Sequence, residues 1–492
     1  MAMLPFGEYK PDLAPLNNSG ITTATNVLPF GNAYKSFPSS TVYSDALDAQ
    51  CLGAFSLRDS AGNVYNYAGD ASKLYSMSSS SWSDVSKSGG YSTSSGETWK
   101  FIKWGEKVIA TNFNDNPQVI TLGGANFADL ITDFTARHIA VVRDFVVVGN
   151  INDTTDGVVP NRVRWSGIND ETSWTVSATT QADYQDLQGE IGWVQAIVGG
   201  EYGIVFCERA IYRMTYVGSP IVFQFDEVER GRGTPASNSV VKFGQGIGYL
   251  GIDGFYVFNG QTSIPIGIHK VDSFFWEDID QNYMHNIFGV HDPENQLLLW
   301  AYPNASATAG RPNRILVYNY SPNAILRWSL IDNQDVAFLF RSFGEGYTLD
   351  GLDTVSTNID TGFSVSFDSR QWTGNTNLLS GFDSDNKLVN FDGTALDATI
   401  ETQELQLTKN AKTLVNTVRP LIDGSATVTV QIGERNLLSD SVTWGPVTSV
   451  NSNGNCPVRS SARYHRARVL TTGAFNFAQG VEVKNASRRG SR

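Results

Sequence analysis

Cysteine is scarce in this 492-residue chain: Cys51, Cys207 and Cys456 lie far apart and none belongs to a Cys-x-x-Cys pair. That spacing excludes a disulfide framework and a zinc knuckle, and leaves three core thiols. Histidine is equally sparse. No two of His138, His269, His285, His291 and His465 stand four apart, and His-Glu-x-x-His is absent. His285 and His291, beside Asp292 and Glu294, could meet across a turn, but they read as core or surface residues rather than metal ligands. No Gly-x-Ser-x-Gly elbow and no Walker-type phosphate loop occurs. Arg230-Gly-Arg-Gly-Thr234 is a basic, glycine-rich loop without a following helix, which reads as a turn between structural units. The Ser-x-Asp-x-Gly-x-x-Trp repeat of sialidases is missing, and 49 acidic residues are too many for spacing alone to select a glycosidase pair. No catalytic residue, cofactor or metal site is therefore predicted. No apolar run reaches 18 residues and the N-terminus lacks a basic stretch followed by an apolar one, so the expectation is a soluble chain without a membrane span, folded where it is made.

What the chain has is aromatic residues, 12% of the total, and 46 glycines. Both suit many short strands joined by tight turns, so an all-β fold is predicted. From 41 to 396 the pattern is strand, turn, strand. In FSLRDSAGNVYNYAG the turn Ser60-Ala61-Gly62-Asn63 parts two apolar runs, and in IGYLGIDGFYVFNG the Asp253-Gly254 pair does the same. Aromatic strand residues recur just before Gly or Asn turns at an irregular period of roughly 40 to 80 residues, the mark of a β-propeller with six or seven irregular blades. Trp82, Trp174, Trp328 and Trp372 are read as blade-core residues.

Two attachments flank the propeller. Residues 1–40 hold five prolines and no strand or helix period, yet carry Phe6, Tyr9, Phe30, Tyr34 and Phe37. They are expected to form an extended arm that lies over its own body or clasps a neighbouring subunit. Residues 397–492 alternate apolar and polar over long strands, as a separate β-sandwich or platform domain would. Charge divides the same way. The last 92 residues hold 12 Lys+Arg against 6 Asp+Glu, a net +6, so of the total −13 the first 400 residues carry −19. In RYHRARV, Arg466 and Arg468 share one face of a strand and Arg463 and His465 the other, which marks a candidate basic contact face for DNA phosphates or an acidic neighbour.

Three segments, LPFGEYKPDLAPLNNSGITTATNVLPFGNAYKSFPS at the start, RVRWSGINDETSWT at 162–175 and RYHRARVLTTGAFNFAQGVEV near the end, together resemble the short-tailed phage nozzle proteins, also called tail hub or packaged-DNA stabilisation proteins. Arg162, Arg164, Trp165 and Trp174 fall in the central match, where a fold role is expected. The resemblance implies a non-enzymatic virion protein of the tail, made in the host cytoplasm. It implies a homohexamer forming a ring below the portal and adaptor, with a propeller and a smaller β platform from each subunit. The expected partners are the head-to-tail adaptor, tail fibres, spikes or a needle, and double-stranded DNA that passes without sequence reading. An acidic body fits a lumen through which a polyanion must slide, and an aromatic arm fits a ring interface. The alternative is a carbohydrate-binding or carbohydrate-degrading propeller, such as a tail depolymerase or a secreted glycosidase.

Overall fold

The computed structural model describes residues 2–16, 18–244, 246–332, 336–344, 376–409 and 411–488. The chain is all-β, a β-propeller joined to a two-sheet platform. Six four-stranded antiparallel sheets stand as separate blades. Blade 1 is Gly53–Arg58, Val64–Gly69, Leu74–Ser78 and Ser81–Asp84, and blade 2 is Lys100–Trp104, Lys107–Thr111, Gln118–Thr121 and Ala128–Asp129. Blade 3 is Phe134–Val142, Phe145–Asp153, Gly157–Trp165 and Asp183–Asp186, and blade 4 is Val194–Val198, Gly203–Cys207, Ala210–Gly218 and Val222–Arg230. Blade 5 is Val241–Phe243, Gly246–Leu250, Phe255–Phe258 and Ser263–Pro265. A further meander, Phe288–Asp292, Leu297–Tyr302, Arg314–Asn319 and Trp328–Asp332, takes the next place in the circle as blade 6 but runs on into a platform sheet. Blade 7 is Val336–Phe343, Asn377–Asp383 and Lys387–Asn390, completed by Thr41–Ala46 from the other end of the chain. That pairing closes the circle and covers an edge that would otherwise be open.

Local chemistry explains the hairpins. In blade 1 the Asp59 carboxylate accepts from the backbone N–H of Ala61 at 2.9 Å and of Asn63 at 2.8 Å, and Gly62 takes φ +92°, which only glycine adopts at no cost. The circle holds together because every seam between neighbouring blades has its own apolar cluster. Leu57 and Leu74 meet Val108 and Ala110 between blades 1 and 2, and Ile109 meets Phe134 and Val148 between blades 2 and 3. Trp165 and Phe145 meet Val205 and Met214, and Phe206 meets Tyr249 and Phe258. Phe255 meets Trp300, Leu299 meets Leu339, and Phe382 meets Met77 to finish the round. Burial of a side chain of this size stabilises by about 1.5–3 kcal/mol, so the seams supply the main driving force.

The platform is two packed sheets. One orders Val27–Phe30, Ala33–Ser36, Phe475–Arg488, Thr413–Gly424 and Cys456–Ala462, with Ala2–Pro5 also pairing Phe475–Arg488. The other orders Thr23–Thr25, Ala398–Glu401, Tyr464–Thr472, Thr427–Arg435 and Thr443–Trp444, and joins blade 6 through a parallel bridge from Thr25 to Leu330. Val415, Val418 and Val481 from the first face Ile400, Val430 and Val469 from the second in one cluster.

This arrangement corrects the reading of residues 1–40. They are not an arm laid over a finished body: four of their strands are built into the platform, and Phe6, Tyr9 and Tyr34 belong to its core while Phe37 sits in the seam cluster of blades 6 and 7. These four cannot clasp a neighbour without leaving the core. Phe30, 48% exposed and 6.0 Å from the Phe477 ring, is the arm aromatic left at the surface. Strands of three or four residues need no visible period, which is why prolines at 5 and 29 were compatible with sheet.

Candidate functional site

The central segment forms an ionic network on blade 3. Buried Arg162 makes a bidentate contact with Asp186, at 2.6 and 3.0 Å, and donates to Asp156 at 2.6 Å. The Asp186 hydrogen bond is the main reason its guanidinium holds its proton even more firmly than usual. Arg164 donates to Asp153 at 2.9 Å and to the Trp174 carbonyl at 2.9 Å. Trp165 and Trp174 are buried, and Trp174 packs edge-on to Phe134 at 4.9 Å. Their indole N–H groups donate to the carbonyls of Gln181 and Glu171 at 2.9 and 2.7 Å. Two arginines thus meet three aspartates, and both tryptophans pin the long connection from Ser166 to Ala182. No cation is left over for a ligand, so this motif fixes the fold.

On the C-terminal basic face two arginines share a single carboxylate, so the face is partly paired and keeps a net positive charge. Arg468 donates to Glu401 at 2.6 Å, Arg466 reaches the same carboxylate at 3.4 Å, and both stack over Trp444 at 3.7 and 5.0 Å. Glu401 comes from the neighbouring strand, 65 or more residues away in sequence, and a local charge count misses it. Arg463, at the turn into Tyr464–Thr472, is half-buried and partnered. His465 is buried, 3.0 Å from Ser460 Oγ, and burial lowers its pKa.

The other singled-out residues are also structural. Trp328 is buried, Trp82 is half-buried with its indole N–H donating to Ser44 at 2.9 Å, and Trp372 lies outside the described residues. His291 Nε2 lies 2.8 Å from the Tyr320 hydroxyl, and its pair with His285 does not form a cluster. Among the described residues no three His, Cys, Asp or Glu side chains are grouped to hold a metal ion, and no helix is long and apolar enough to cross a membrane. The Arg230–Thr234 loop joins blades 4 and 5, with Thr234 N–H donating to Cys207 O at 3.0 Å and Arg230 paired to Glu227. The three cysteines are free and buried, and burial raises their pKa.

Spacing along the chain gave no sign of a cavity of about 550 Å³ between the first strands of blades 1, 2, 5, 6 and 7. Its charged walls are Lys100, Lys242 and Arg341, with His291 beside them and, among the described residues, no carboxylate in the lining. Phe55 and Phe101, stacked at 6.2 Å, form part of its apolar wall.

No protein-family model matches the chain, and no curated protein matches it. Among solved structures it is similar to BBS1N from a complex with ARL6DN, at 9% identity over 73% of this chain and 97% of that one, with a TM-score of 0.41. It is also similar to BamB from Moraxella catarrhalis, at 7% identity over 75% and 94% with a TM-score of 0.36. For the Neurospora crassa Pan2 WD40 domain the values are 8%, 73%, 95% and 0.38. Likeness at this level bears on no activity.

Proposed function

We propose that this chain is a structural subunit of a phage tail, forming the nozzle or hub ring below the portal and adaptor that retains packaged DNA and conducts it at ejection. The observation that carries this reading is where the resembling segments fall. The opening and closing segments, more than 400 residues apart, interleave strand by strand in one platform sheet beside the propeller, Ala2–Pro5 and Ala33–Ser36 both pairing Phe475–Arg488. That is the layout the resemblance implies for each subunit. The central segment serves the fold of blade 3, and the acidic first 400 residues suit a wall that DNA must not adhere to. Exposed Phe30 with Phe477 offers a small apolar contact for a neighbouring copy.

The test is the mass of the purified protein in solution at rising concentration, with negative-stain images of the same sample. A ring or tube of about six copies with a central channel is expected. A stable trimer that clears polysaccharide would overturn the reading in favour of a carbohydrate-active propeller.

A further inference from the structure

The cavity among the first strands of blades 1, 2, 5, 6 and 7 has a charge opposite to that of the body around it. Lys100, Lys242 and Arg341 reach it from three different blades, in a chain of net charge −13. Lys100 Nζ donates to Asn238 Oδ1, a neutral acceptor that also takes the Thr98 hydroxyl at 3.3 Å. Lys242 is exposed and borders the cavity, its Nζ turned to the Gly199 carbonyl at 2.6 Å beside a neighbouring cavity that Glu201 also lines, so a ligand must draw it back; the Arg341 guanidinium lies 5.3 Å from the Phe343 ring. Among the described residues no carboxylate is hydrogen-bonded to any of the three. Asp292 supplies a more distant negative charge to Arg341, and Arg58 opposes it with a positive one.

Burying a cation with no carboxylate hydrogen-bonded to it costs free energy, because it loses water. Lys100 registers that cost: burial pushes its pKa down to about 8. Burial and then the Arg58 charge lower that of Arg341. A site that, among the described residues, gives such groups no hydrogen-bonded carboxylate is preorganised for an anion, and one-signed walls concentrate the field on it. Most lining side chains, including Lys100, Arg341, Ser56 and His291, are half-buried and Lys242 is exposed, so water and small solutes can enter. The volume falls in the range of small-ligand sites, roughly 300–1,000 Å³, and exceeds what a single oxyanion fills.

We propose that this cavity is a binding site for a small, multiply charged phosphate compound, held by Lys100, Lys242 and Arg341. A chain of phosphoryl groups presents oxygens in several directions and can meet donors from three walls at once, which a single planar carboxylate cannot. The site is independent of the tail reading and stands or falls separately.

The test is calorimetric titration of the full chain with sodium tripolyphosphate at constant ionic strength set with sodium chloride, alongside thermal unfolding. Saturable binding at one site per chain is expected, with a matching rise in Tm. Lys100→Met and Arg341→Met should each weaken Kd about tenfold or more, and Arg230→Met, exposed where blade 4 runs into the loop to blade 5, should leave it unchanged. Lys100→Met should fold at least as stably as the parent, since it removes a desolvated cation to which no described carboxylate is hydrogen-bonded. If Arg341→Met does not fold, Lys100→Met alone decides. Absence of saturable binding to the parent chain, or unchanged Kd in folded Lys100→Met, would overturn the proposal.

Discussion

Asp272 should make this protein lose stability as pH rises from about 4 to 7. It opens the short helix Asp272–Asp278 after blade 5, is 8% exposed, and its Oδ1 accepts the Phe255 N–H at 3.0 Å. The carboxyl is wedged against Gly254 and Gly267, where any β-carbon would overlap it. The helix N-terminus offers no relief, because Asp12 from the N-terminal segment already takes the Ser273 and Phe274 N–H groups at 3.0 and 2.8 Å. Burial, with lesser repulsion from Asp12 and Asp253, pushes the Asp272 pKa from 3.8 up to about 7. The folded chain therefore binds this proton more tightly than the unfolded one. The resulting stabilisation is complete below about pH 4 and is lost as pH rises through 7. The difference between the two pKa values corresponds to about 4 kcal/mol, and water reaching a partly covered carboxyl reduces this to about 2–4 kcal/mol. Asp272→Asn keeps the acceptor for Phe255 and cannot ionise. Its advantage over the parent should be near zero at pH 3.5, be more than a third developed by pH 5, and reach about 2–4 kcal/mol at pH 8.5. For a chain of this length that is about 2–4 °C in Tm, read by calorimetry or urea unfolding across the range. An equal difference at pH 3.5 and pH 8.5 would refute the argument.

Asp12→Ala should cost about 1 kcal/mol in urea unfolding by uncapping the same helix, an effect of the N-terminal segment on an element 260 residues away. Arg162→Met leaves Asp186 and Asp156 without their shared cation and should cost about 2–3 kcal/mol, less than a fully buried pair because both aspartates are partly exposed. Asp186→Leu in the same background should recover part of the loss in a double-mutant cycle. Phe30→Ser should leave the Tm of the isolated chain nearly unchanged and lower the fraction of ring seen by analytical ultracentrifugation.

Much of the fold could be read along the chain because hairpins are local. Asp59 and Gly62, or Asp253 and Gly254, set a turn within a few residues, and the apolar runs beside them are the strands themselves. Blade-core tryptophans such as Trp174 were legible for the same reason. The period was irregular because connections differ greatly in length, as the stretch from Ser166 to Ala182 inside blade 3 shows. The candidate sites were less legible. Arg466 and Arg468 looked open only because Glu401 is distant in sequence, and Lys100, Lys242 and Arg341 look like unrelated surface cations until the blades turn inward.

By itself, then, the sequence determined the strand content, the hairpin turns, the propeller repeat and the division of charge, all set by interactions within a few residues. Tertiary structure alone decided that strands of the first forty residues build into the platform, that Thr41–Ala46 closes the circle, and which cations find a carboxylate. Those outcomes depend on pairing between strands hundreds of residues apart, where the free energy comes from edge hydrogen bonds and shared apolar burial that no local pattern records.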